Sequence, residues 1–119
     1  MGDPNLDGLP ETAVMVTAQE LETLFSNQTH GGKYYDDRKW FVYRESHSPE
    51  GQIKGSGGPP DNPTQWNWTG SWKVESENIC RRYDEDYSCR PVYRVGAVYQ
   101  QTDEHDKVSS EFTIDLDGP

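Results

Sequence analysis

With 119 residues, the chain is long enough for one domain and a modest core. Hydrophobic residues make up 31% and mean hydropathy is -1.03, close to the values of disordered chains, yet four Trp, seven Tyr and three Phe bring the aromatic share to 12%. The core is therefore thin and built largely from rings, each of which buries much surface. A net charge of -10 argues against nucleic acid, whose phosphates call for Lys and Arg, and against anionic membrane surfaces; no apolar run is long enough to span a bilayer.

Residues 1–13 read as a flexible N-terminal arm and residues 14–119 as a single β domain. Met1-Gly2 leads into a polar stretch and contains no signal peptide, as expected of a chain from which one has been removed. Within the arm, Asp3, Asn5, Asp7 and Gly8 match the first half of a calcium loop, but Val14 stands where the bidentate Glu belongs, so the stretch reads as an incidental acidic arm.

The clearest local signal follows. Thr17 and Glu20 form a capping box, and Val16 and Leu21 fall at the positions of a hydrophobic staple. The helix should run to Phe25 or Asn27 with Leu21, Leu24 and Phe25 as its apolar stripe. So short a helix cannot stand alone and must dock on the sheet, plugging one end or covering an open edge.

From Gly31 the period changes to two. Arg38–Glu45 is a strand with Trp40 and Val42 on one face and Phe41 and Tyr43 on the other, followed by a turn at Ser48-Pro49-Glu50-Gly51 and a short return at Gln52–Lys54. Gly55–Pro63 reads as a flexible connector. Gly70–Glu75, Glu77–Tyr83, Tyr87–Val95, Ala97–Thr102 and Lys107–Leu116 follow at meander spacing, and in the last Phe112, Ile114 and Leu116 alternate with polar residues. The fold class is mainly β: an antiparallel meander of about seven strands, a small barrel or half-open sandwich of lipocalin-like general shape, with one short N-terminal helix.

A hairpin turning about Asp84-Glu85 sets Cys80 opposite Cys89 on a non-hydrogen-bonded pair, with Cα atoms about 4.5 Å apart, near the lower limit for a disulfide. The alternatives are two reduced thiols, a zinc site, for which His30, His47 and His105 lack ligand spacing, and a redox pair, normally spaced CxxC. The disulfide reading points to the periplasm or the cell exterior.

Gly70-Ser71-Trp72-Lys73-Val74, Cys80-Arg81-Arg82-Tyr83 and Cys89-Arg90-Pro91-Val92-Tyr93-Arg94 with Gly96, preceded by Leu24-Phe25 and Phe41-Val42-Tyr43, resemble a family of small secreted proteins of α-proteobacteria. The resemblance covers roughly residues 14 to 116 and implies bacterial export and a β fold. The family carries no established activity, so no functional residue transfers from it.

Two constellations are candidate sites. Trp66, Trp68 and Trp72 share parity and, if extended, face one way, either filling a core or forming a ligand platform at a barrel mouth. Arg81, Arg90 and Arg94 share one face in the hairpin register and form either an anion site or, with Glu77, an internal ion-pair ladder. No catalytic signature, cofactor motif or metal set stands out. The expectation is a non-enzymatic extracytoplasmic binding or accessory domain that takes a small ligand at an aromatic-lined mouth. The alternatives are a protein-interaction or inhibitor module using the disulfide hairpin and the Gly55–Pro63 loop, and, further off, a small hydrolase whose carboxylates or His converge in one cleft.

Overall fold

The computed structural model describes residues 6–115. Its elements in chain order are β1 (Val14–Met15), α1 (Ala18–Phe25), β2 (Gln28–Asp36), β3 (Lys39–His47), β4 (Gln52–Gly58), β5 (Trp66–Glu75), β6 (Asn78–Tyr83), β7 (Asp86–Arg90), β8 (Tyr93–Val95), β9 (Val98–Thr102) and β10 (Val108–Ile114). All strands pair antiparallel in one sheet of order β1-β8-β9-β10-β2-β3-β4-β5-β6-β7, which curls into a half-barrel. The expected class holds. The strand count does not: there are ten among the described residues rather than about seven.

The helix forms as its caps dictate. Thr17 Oγ1 accepts from the Glu20 N–H at 3.2 Å, and Glu20 Oε1 accepts from the Thr17 N–H at 3.2 Å. Val16 and Leu21 are buried, as the staple requires, and so are Leu24 and Phe25. The helix plugs the half-barrel with Phe25 at the centre of the core. The Phe25 ring lies 4.6 Å from that of His30, 4.9 Å from His47, 5.9 Å from Phe112 and 6.0 Å from Trp72, centroid to centroid.

The extra strands are β1, β2 and the one gained by division of Tyr87–Val95, while β4 is longer than expected. Gly55–Gly58 belongs to β4 rather than to a connector, and only residues 59–65 form the loop. Glycine is required because the Trp68 ring of β5 lies flat across the strand: a Cβ on Gly55 would sit 2.5 Å from Trp68 Nε1, and one on Gly57 would sit 2.7 Å from Trp68 Cη2. The segment Gln28–Asp36, whose Gly31-Gly32 interrupts any side-chain alternation, pairs with both β3 and β10. Tyr87–Val95 is two strands, because Pro91 has no N–H to continue a ladder. Pro91-Val92 instead carries the chain to the far side of the sheet, where the Val92 carbonyl accepts from the Val16 N–H at 2.8 Å.

The hairpin register is the expected one: Cys80 opposes Cys89, the two are bonded, and their Cα atoms are 4.0 Å apart. The turn at Ser48–Gly51 closes through Gly51 N–H to the Ser48 carbonyl at 3.1 Å, with Gly51 at φ +92°. In β10, Phe112 is buried as its alternation requires. Leu116 and the first half of the Asp3–Gly8 stretch lie outside the described residues. The described end of the arm is held against the sheet: Leu6 is buried, and the Asp7 carbonyl accepts from the Val108 N–H at 2.7 Å. No helix among the described residues is long and apolar enough to cross a membrane.

Candidate functional site

Strand alternation brings a set of rings to the concave face. Tyr34 comes from β2, Tyr43 from β3, Trp68 from β5 and Tyr83 from β6; together they wall a cup of about 400 Å³ above the helix. Ser88, Gln101 and Ser110 complete the wall on the side where β7 faces β9 and β10. The lower part of the cup carries two charged groups, Glu45 and Arg81.

Glu45 is buried and fully engaged. Its Oε2 accepts from Trp68 Nε1 at 2.8 Å and from the Tyr83 hydroxyl at 2.6 Å, and its Oε1 lies 3.5 Å from His47 Nε2. Burial alone would raise its pKa, but contact with His47, the Arg81 charge and the bonds from Tyr83 and Trp68 outweigh burial and hold it at about 2. Burial pushes the hydroxyls of Tyr34, Tyr43 and Tyr83 upward, so all three stay protonated. For Tyr83 the Arg81 charge opposes the rise and Glu45 adds to it.

Arg81 sits over the Phe25 ring, its guanidinium carbon 5.2 Å from the centroid. Nη1 donates to Gln101 Oε1 at 2.6 Å, and Gln101 Nε2 donates in turn to the Pro91 carbonyl at 3.3 Å. Gln101 thus fixes the arginine from across the half-barrel. Below this layer His30 is wholly buried, with Nε2 donating to the Leu24 carbonyl at 2.8 Å and its ring stacked on Phe112 at 4.3 Å. Burial first, then the neighbouring His47, lowers its pKa to about 3, so it is neutral.

The three tryptophans of β5 do face one way, but at three depths. Trp72 is 7% exposed, packs on Phe25 in the core and donates from Nε1 to the Ser48 carbonyl at 3.0 Å. Trp68 is the wall of the cup. Trp66 is 42% exposed, with its ring 5.5 Å from that of Phe41.

The three arginines do not all converge. Arg81 lines the cup and also borders, with Arg90, a neighbouring hollow that carries Asp103 and Glu104. Arg94 leaves the hairpin face altogether, because the break at Pro91 places it on β8, where it pairs with Glu20 at 3.5 Å. Glu77 pairs with none of them. The hairpin tip at Asp84-Glu85 and most of β7 are exposed.

Glu45 and Gln101 were not singled out in the sequence, His47 entered only as a zinc ligand without the right spacing, and Tyr83 only within the family resemblance. A signal existed for two of them: with Phe41 and Tyr43 on one face, alternation puts Glu45 and His47 there too. Nothing local marks Tyr83 or Gln101, whose roles depend on partners 38 and 20 residues away. Glu45 and His47 meet, as a hydrolase would need, but His47 is buried and the carboxylate is occupied by Trp68 and Tyr83, so neither is free to work on a substrate. Among the described residues no group of three or more His, Cys, Asp or Glu is placed to hold a metal ion. No protein-family model, curated protein or solved structure matches the chain.

Proposed function

We propose that this protein is a non-enzymatic binding domain that takes a small, apolar-bodied molecule into the aromatic cup. The observation that carries this reading is the cup itself: about 400 Å³ walled by Tyr34, Tyr43, Trp68 and Tyr83, with a few fixed polar groups at one end. Pockets for small molecules have this size and this mixture of ring walls and sparse polar anchors. The disulfide supports an oxidising, extracytoplasmic address, periplasmic or secreted, in line with the resemblance to exported bacterial proteins.

Ser88 lies on exposed strand β7 opposite Arg81 and borders the cup, so S88F fills the space without disturbing the core. The neutral dye N-phenyl-1-naphthylamine should bind the unmodified protein saturably, with a rise in fluorescence. S88F should weaken binding at least ~10-fold, about 1.4 kcal/mol, while the melting temperature stays within a few degrees. Absence of saturable binding, or equal binding by S88F, would remove the reading.

A further inference from the structure

Resting on the cup reading, we infer that the natural ligand is an apolar monoanion, a carboxylate on an aromatic or aliphatic body, whose charged end docks on Arg81. A guanidinium carries five N–H donors. Arg81 uses one of them on neutral Gln101, its Nε is buried without a partner, and no carboxylate among the described residues lies within ion-pair distance. The Phe25 ring beneath it attracts the cation but offers no acceptor in the guanidinium plane. The buried Nε without an acceptor carries a desolvation cost, and a carboxylate matches the remaining donors of the fork with charge-assisted bonds.

The nearby opposite charge cannot fill that role. Glu45 is held by Trp68, Tyr83 and His47 on its own side of the cup. It stays ionised and so selects against a second negative charge on the ligand, as does the net charge of -10. Gln101, anchored on the Pro91 carbonyl, holds the guanidinium in place before the ligand enters, which lowers the ordering cost of binding. Carboxylates over dianions, and apolar bodies over polar ones, is the resulting preference.

Calorimetric titration of the full chain with 2-naphthoate, its neutral counterpart 2-naphthalenemethanol, the dianion 2-naphthyl phosphate, and decanoate tests this. Naphthoate should bind at least ~10-fold more tightly than the alcohol and more tightly than the phosphate, with decanoate showing that the body can be aliphatic. In R81M naphthoate and alcohol should bind alike, whereas R81K retains part of the preference. The comparison of ligands on the unmodified protein stands even if R81M does not fold. Equal affinity for naphthoate and alcohol overturns the anion assignment and leaves the cup reading intact. If none of these compounds nor the neutral dye binds, both fall.

Discussion

His30 and Glu45 are two buried ionisable side chains whose proton affinity falls on folding, and together they tie the stability of this fold to pH. The neutral His30 ring is held at about 3 against an ordinary 6.5, chiefly by burial, so the unfolded chain takes up that proton first and stability drains as pH falls from 6.5 toward 3. Glu45, held at about 2 against 4.5, contributes fully above 4.5 and is lost as pH falls through 2. Both act in one direction. From these two groups, urea unfolding at stepped pH should show a stability loss approaching ~1.4 kcal/mol per pH unit that begins below 6.5, and a steeper fall below 4.5. In H30Q the first limb should vanish and the second remain; a wild-type profile that is flat from 6.5 to 4.5 contradicts the buried neutral histidine.

Among the elements, those whose information is local were legible in the sequence. The helix was readable from Thr17, Glu20 and the stripe ending at Phe25, and the hairpin from its turn and the two cysteines. The extension of β4 through Gly55–Gly58 was not, because Gly55 and Gly57 answer to the Trp68 ring of the next strand rather than to the backbone around them. Strand β2 was hidden for a similar reason: its partners β3 and β10 define it, and its own side chains do not alternate cleanly. The explanation for β4 is directly testable. G57A should lower stability by about 1–3 kcal/mol in denaturant unfolding, because the added methyl meets the Trp68 ring and the Val42 carbonyl. K54A on the exposed face of the same strand should stay within about 0.5 kcal/mol. Equal effects at the two positions would mean that Trp68 does not lie across the strand.

Across the whole molecule, a single curled sheet leaves room for both a core and a cup, and the helix divides them. Phe25 and its neighbours fill one end solidly, and above Phe25 the rings of β2, β3, β5 and β6 stand apart. That division places Trp72, Trp68 and Trp66 in core, wall and rim along one strand, a gradation that shared parity announced only as a common direction. Arg94 left the arginine set because membership depended on the path of the chain after Pro91, which decides which edge of the sheet receives it, whereas Arg81 and Arg90 border one hollow. The most direct test follows the four indole N–H signals by two-dimensional NMR while 2-naphthalenemethanol is added. The Trp68 signal, whose N–H is bonded to Glu45 at the cup wall, should shift most, and that of Trp40, packed against Tyr35 and Lys33 on the outer face, should stay in place. A Trp40 signal that moves while Trp68 stays still would put the ligand outside the half-barrel.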